Sequence, residues 1–168
     1  MDFSEFKPLQ KLAKIMIAEG LSVAVAESCT AGLMQNALSQ ATDSMSFFQG
    51  GLTVYNIGQK AKQLHVNPIE AESCNAVSKS IAEKMAREVA GMFNSEVGVA
   101  ITGYARAVPE EGINSCYAYL AFYFAKEEML VSKRISGDSV LSQKANQELF
   151  TRKMIEYLFA EVNNERIK

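Results

Sequence analysis

Three short runs constrain the fold of this chain more than any other feature: Ser22-Val23-Ala24-Val25-Ala26, Leu52-Thr53-Val54-Tyr55 and Val97-Gly98-Val99-Ala100-Ile101. The first and third are apolar on both sides, as strands covered on both faces are. Stretches of helical periodicity separate the runs. Phe6, Leu9, Leu12, Ala13, Met16 and Ile17 recur at helical spacing until Gly20 stops them. Thr30 to about Ala41 is helical again, with Leu33, Ala37 and Leu38 on one side. Gly50-Gly51 opens the second strand, and a short helix follows it through Lys60, Ala61 and Leu64. Val77-Ser78 starts a long helix, with Ser78 as N-cap and a face of Ile81, Met85, Val89 and Met92.

After Ile101 the chain enters a loop from Tyr104 to about Asn114, broken by Pro109 and Gly112. Cys116 to Phe124 then alternates, with Tyr117, Tyr119 and Tyr123 on one face and Ala118, Leu120, Phe122 and Phe124 on the other. Glu127-Glu128 is a turn and Met129 to Ile135 a strand, so an antiparallel hairpin is expected. A last helix runs from about Val140 to Ala160, and the polar tail Asn163 to Lys168 is expected to fray. Helices alternating with buried strands predict an α/β fold, a three-layer α/β/α arrangement with a mixed central sheet. All 168 residues read as a single domain, without repeat, linker or low-complexity segment.

Charge narrows the function classes. Seventeen basic residues against 19 acidic ones give a net charge of -2, which argues against a nucleic-acid surface and leaves room for a small anionic ligand. The start, Met1 to Phe6, lacks a basic segment followed by an apolar core, and no apolar run approaches the ~20 residues of a membrane span. No signal peptide and no membrane partner are therefore expected. The three cysteines, Cys29, Cys74 and Cys116, have no CxxC spacing; they suit a reducing, cytoplasmic setting and suggest neither disulfides nor zinc. Neither GxGxxG nor a Walker-type loop is present, so no nucleotide cofactor is expected. The only histidine, His65, sits beside Leu64 and Val66 on the apolar side of a short helix and reads as structural or surface, which removes the usual base of a serine triad.

What remains is an elbow, Ala26-Glu27-Ser28-Cys29-Thr30-Ala31-Gly32, where a strand turns into a helix. Side chains at such a place project into the crevice where open α/β sheets bind ligands, and free N–H groups at the helix start can hold an oxyanion or phosphate. Ser28 is the candidate nucleophile and Cys29 the alternative; pointing different ways, at most one faces the reactive centre. Thr30 and Gly32 supply a hydroxyl and a close-approach backbone. The plainer reading, in which Ser28 or Thr30 merely caps the helix, stays open. A serine without histidine can use a lysine whose pKa is lowered. Lys60 and Tyr55 would emerge at the edge of Ser28 if the second strand neighbours the first. Alone, an aromatic and a solvated lysine produce the same pattern.

At these residues the sequence resembles the C-terminal domain of the competence/damage-inducible CinA proteins. Residues 26–32 resemble the family's AESCTGG, and Gly50-Gly51-Leu52-Thr53-Val54-Tyr55-Asn56-Ile57-Gly58-Gln59-Lys60 its GGxxxYSNxxK. Ala76-Val77-Ser78-Lys79-Ser80-Ile81-Ala82-Glu83-Lys84-Met85-Ala86 resembles AVSxxVAxxMA, and Ala100-Ile101-Thr102-Gly103-Tyr104-Ala105 part of AVTGIAGP. Four motifs in one order, across nearly the whole chain, are more specific than any one. The family includes amidohydrolases that convert nicotinamide mononucleotide to nicotinate mononucleotide and ammonia. The resemblance implies Ser28 as nucleophile, Lys60 as its base and Tyr55 orienting the lysine or relaying a proton. It places substrate contacts at Glu27, Thr30, Gly32, Gly50, Gly51, Thr102 and Gly103. No metal or cofactor is implied, and a homo-oligomer, a dimer by preference, is expected.

The sequence departs from that pattern in ways that bear on the pocket. Ala31 stands where the family has the first glycine of TGG, a substitution that a positive φ would make costly. Asn56-Ile57 replaces Ser-Asn. Tyr104-Ala105-Arg106-Ala107 replaces IAGP, and Pro109 to Ser115 replaces a glycine-rich stretch. Arg106 there either pairs with a phosphate or is simply solvated. The expected alternative to the hydrolase is a paralogue that binds a nucleotide-like ligand without turning it over.

Overall fold

Alternation along the first strand divides the core in two. In the computed structural model, which describes residues 1–163, β1 (Val23–Glu27) is buried throughout. Val23 and Val25 enter a cluster with Leu9, Leu12 and Met16 of α1 (Lys7–Ala18) and with Phe150, Met154 and Leu158 of α6 (Gln143–Asn163). Ala24 and Ala26 face the other way, onto Ile81, Met85 and Val89 of α5 (Lys79–Phe93). That second face is built from small residues, with Gly98 and Ala100 of β3 (Val97–Tyr104) beside the β1 alanines and Ala121 of β4 (Tyr117–Phe124) opposite Ala100. The helix consequently lies very close: a Cβ on Gly98 would sit 1.9 Å from the Ala86 carbonyl oxygen.

The strands form one mixed sheet in the order β2-β1-β3-β4-β5, where β2 is Phe48–Thr53 and β5 is Met129–Ser136. β2, β1 and β3 are parallel, and β4 and β5 complete the sheet as an antiparallel hairpin. α1, α2 (Leu33–Ser39) and α6 cover one face. α3 (Ile57–Leu64), α4 (Pro68–Ser73) and α5 cover the other, giving the expected α/β/α layers in a single domain. Glu27 pairs with Thr53 on one side and Ile101 on the other, so the segments following β1, β2 and β3 leave the sheet at one edge. A crevice at the carboxyl end of parallel strands is where such sheets bind ligands.

Several boundaries differ from the sequence expectation for identifiable reasons. α2 begins at Leu33, not Thr30, because residues 30–32 are spent in the elbow. β2 opens at Phe48 and stops at Thr53; as a half-covered edge strand with two glycines it has no clean apolar signature. α6 starts at Gln143 instead of Val140, because Asn146 in its first turn, fully buried, holds the preceding loop through both the N–H and the carbonyl of Asp138. α4 went unforeseen: six residues hold too little periodicity, although Asn67 caps it through the Ile69 N–H at 2.9 Å with Pro68 behind. Ser78 caps α5 as expected, accepting from the Ile81 N–H at 3.2 Å. Ile17 and Met92, assigned to inner faces, are 39% and 49% exposed; on α5, Ala82, Ala86 and Ala90 complete the face instead. His65 lies at the end of α3, exposed, with Nδ1 2.6 Å from Glu88. Residues 164–168 of the expected frayed tail lie outside the described residues, and Asn163 ends α6. Among the described residues no helix is long and apolar enough to cross a membrane.

Candidate active site

The strand alternation carries on past the end of β1 and decides which elbow side chain faces which layer. Ser28 is in phase with Ala24 and Ala26 and turns toward the α3 and α5 layer, whereas Cys29 joins the cluster on the α6 side. Both neighbouring strands fix the elbow, since the Ser28 N–H donates to the Ile101 carbonyl at 3.1 Å and the Val54 N–H to the Glu27 carbonyl at 2.8 Å.

Lys60 meets Ser28 from α3. Asn56 caps this helix through the Gln59 N–H at 2.9 Å, and Lys60 and Leu64, one turn apart, form its buried face. Where periodicity calls for an apolar residue, the chain places a lysine. Its Nζ lies 3.0 Å from Ser28 Oγ, in a buried contact, and the residue is only 3% exposed. Burial disfavours the ammonium and pulls the Lys60 pKa down to about 8. No carboxylate pairs with it among the described residues. Burial also pushes the Cys29 thiol up to about 12, so Cys29 stays protonated and is a poor nucleophile at neutral pH. The choice between the two nucleophiles falls to Ser28.

Glu27, Thr30 and Gly32 have another role than the expected substrate contact. The Glu27 carboxylate is completely buried and curls over the start of α2. It accepts from Thr30 Oγ1 at 2.6 Å, the Gly32 N–H at 3.1 Å, the Met34 N–H at 3.0 Å and the Gln35 N–H at 2.8 Å. The helix N-terminus that was expected to be free for an anion therefore already holds one. Two N–H groups nearer the nucleophile, those of Cys29 and Thr30, donate to no other residue among those described. They flank the Cys29 thiol.

Ala31 occupies the left-handed region at φ 52°, followed by Gly32 at φ 95°. The Ala31 methyl is exposed and packs against little, so it carries the backbone cost without a compensating contact. Ala31→Gly is expected to stabilise the protein by about 0.5–1 kcal/mol, measured as a shift of the urea midpoint at constant slope. A lower midpoint would contradict this reading of the elbow.

Beside the elbow lies a cavity of about 140 Å³, lined by Cys29, Tyr55, Gly103, Tyr104, Arg106 and Gln143, among others. Tyr55 is 62% exposed at this cavity and bonds to neither Ser28 nor Lys60. Arg106 is exposed and has no ion-pair partner among the described residues. Thr102 is fully buried, and its Oγ1 donates to the Ala76 carbonyl at 2.7 Å, where it braces the turn before α5. Gly50 and Gly51 lie inside β2, away from the edge; a Cβ on Gly51 would come 2.4 Å from the Val25 carbonyl oxygen, so its role is strand contact.

The structure thus brings Ser28 and Lys60 together, sets Tyr55, Gly103 and Arg106 around the adjoining cavity, and assigns Glu27, Thr30, Gly50, Gly51 and Thr102 to the framework. Sequence reading missed α6 entirely as a contributor. Gln143 lines the cavity and Gln147, one turn on, donates from Nε2 to the Cys29 carbonyl at 2.9 Å. Their i, i+4 spacing was visible, but nothing in it pointed to an elbow more than a hundred residues earlier. Among the described residues no cluster of three or more His, Cys, Asp or Glu side chains could hold a metal ion.

Comparison with known proteins shows the family and the fold. The family model described as the CinA C-terminal domain matches residues 6–161. A CinA-like protein of Dictyoglomus thermophilum is 32% identical over 127 residues, which cover 74% of this chain and 30% of that protein. One from Koribacter versatilis is 33% identical over 120 residues, 70% of this chain and 28% of the relative. The chain therefore spans less than a third of the length of these curated relatives. Among solved structures, the competence-damaged protein (CinA) superfamily protein of Enterobacter cloacae superposes with a TM-score of 0.86 at 25% identity, covering 97% of this chain and 94% of that one. Competence damage-inducible protein A of Klebsiella pneumoniae gives 0.87 at 21% identity over 99% and 100% of the two chains, a likeness of fold. With its serine elbow, its buried lysine and a family match over nearly its whole length, this chain belongs to the CinA C-terminal domain family.

Proposed function

We propose that the chain hydrolyses the carboxamide of nicotinamide mononucleotide, or of a closely related small amide, to a carboxylate and ammonia. The observation that carries this reading is the buried contact of 3.0 Å between Lys60 Nζ and Ser28 Oγ, with a lysine pKa of about 8. A lysine in that range is neutral often enough near neutral pH to act as a base, and a serine needs one.

The chemistry follows from these two groups. Neutral Lys60 accepts the Ser28 proton as Oγ bonds to the carboxamide carbon and the carbonyl π pair moves onto oxygen. The Cys29 and Thr30 N–H groups, free of other partners, are suited to receive that oxyanion. Lys60 then returns the proton to the amide nitrogen, the C–N bond breaks, and ammonia leaves an acyl-Ser28. Water adds to the ester, giving its proton to Lys60, and Ser28 departs with a proton to regenerate the pair. Because serine is the nucleophile, the scheme requires no metal. Arg106 at the rim suits the phosphate of a mononucleotide, and Tyr55 at the mouth suits the proton relay or the ring.

One observation favours a second reading, in which a nucleotide-like ligand binds without turnover. At the elbow the cavity wall is Cys29, while Ser28 is only 6% exposed. Ammonia release from nicotinamide mononucleotide decides between the two. The wild type is expected to turn over, with a rate that climbs as pH rises through about 8 because Lys60 loses its proton there. Ser28→Ala is expected to lose at least about 10³-fold in kcat. Activity that survives Ser28→Ala overturns the nucleophile, and a wild type that binds the nucleotide but releases no ammonia establishes the second reading.

A further inference from the structure

The elbow is held by one side chain that the hydrolytic scheme does not use. Gln147 of α6, half-buried, reaches across the interface and donates from Nε2 to the carbonyl oxygen of Cys29 at 2.9 Å. That carbonyl belongs to the peptide joining Cys29 to Thr30. The peptide is planar and trans, as every peptide bond in the described chain is, so its C=O and N–H point in opposite directions. Fixing the carbonyl on Gln147 therefore fixes the direction of the Thr30 N–H as well. With the Cys29 N–H, it lies against the Cys29 thiol, at the wall of the cavity that Cys29 and Gln143 line.

We propose that Gln147 is a positioning residue for acylation of Ser28: by holding the Cys29 carbonyl, its amide aims the Thr30 N–H at the place where the oxyanion forms. This rests on the reading of Ser28 as an acylated nucleophile. The rest of the elbow leaves this peptide plane otherwise unheld. Glu27 secures the N–H groups of Gly32, Met34 and Gln35, the Ala31 N–H returns to the Ser28 carbonyl at 3.0 Å, and the Leu33 N–H goes to the Thr30 carbonyl. Among the described residues, only Gln147 is hydrogen-bonded to the Cys29–Thr30 peptide from elsewhere in the fold. Without it the plane can rotate, and a donor that must be preorganised becomes one the reaction has to orient.

The test compares Gln147→Met, which keeps length and volume but no donor, with Gln147→Lys, which restores a donor. Two readouts are taken: kcat and KM for ammonia release from nicotinamide mononucleotide, and the rate of the nitrophenolate burst from p-nitrophenyl acetate, which reports Ser28 acylation by any acyl donor. Gln147→Met is expected to lower kcat and the burst rate by about 10–100-fold. KM and the midpoint of the pH profile near 8 should stay unchanged, since neither the ligand nor Lys60 is touched. Gln147→Lys is expected to recover most of the loss. A Gln147→Met variant with wild-type burst rate overturns the proposal, as does a loss that tracks a fall in thermal stability and is not restored by lysine. If the wild type shows a Ser28-dependent burst but no ammonia release, the assigned substrate fails while the burst still tests Gln147. No burst in the wild type overturns both.

Discussion

Lys60→Met is expected to abolish ammonia release and to make the folded protein more stable at pH 7. The loss of activity should reach about 10³-fold or more, because the general base disappears from a nucleophile that has no other. The gain in stability has a separate origin. Lys60 ionises near 10.5 when solvated and near 8 in the fold. Between those values the unfolded chain binds more protons than the folded one, so stability increases as pH rises from about 8 to about 10.5. Below pH 8 the folded state carries the whole penalty of a buried ammonium, roughly 3 kcal/mol for a shift of this size. Methionine fills the same space beside Leu64 without the charge, so a gain of about 1–3 kcal/mol is expected at pH 7 and almost none above pH 10.5. Urea denaturation of both proteins at pH 7 and pH 10.5 measures it. If the variant is less stable than wild type at pH 7, the lysine is not held at the expense of the fold, and the argument that its burial serves chemistry fails.

Glu27→Ala is expected to cost about 3–5 kcal/mol, near the upper end for one substitution. The carboxylate gathers four donors, and its removal leaves the Gly32, Met34 and Gln35 N–H groups and the Thr30 hydroxyl facing a cavity. Activity should fall with it, because the turn that presents Ser28 is closed by the same contacts. Glu27→Gln keeps the shape but turns a donor toward donors, and about 1–3 kcal/mol is expected. Equilibrium denaturation separates the cases; a loss under about 1 kcal/mol for alanine would mean that water satisfies the helix start and that Glu27 is free for a ligand after all.

These two residues also show how far sequence reading reaches. Glu27, Ser28 and Cys29 are consecutive, and a family resemblance ranks them together. Period-two alternation sends Glu27 and Cys29 to one side of the sheet and Ser28 to the other. That much could be argued from the alternating Val and Ala of residues 23–26, once the strand is granted. The sequence cannot reveal that the Glu27 carboxylate folds back onto its own helix. An acidic residue at an elbow serves equally as a cap or as a ligand contact, and only the positions of the Gly32, Met34 and Gln35 N–H groups choose between them.

The two apolar runs, the hairpin and the periodic helices determine the layers by themselves, because burial on one or both faces writes a period into any chain that must exclude water from its core. Length and turn chemistry settle most of the boundaries for the same local reasons, and the weak ones, β2 and α4, are those with little to bury. What only the tertiary structure decided is which distant polar groups meet. The pairing of β1 with β2 sets Lys60 against Ser28, 32 residues apart, and the packing of α6 brings Gln147 to the Cys29 carbonyl, 118 residues apart. Such contacts leave no period in the sequence, since a lysine that titrates near 8 and a solvated one are the same letter until the fold removes the water around one of them.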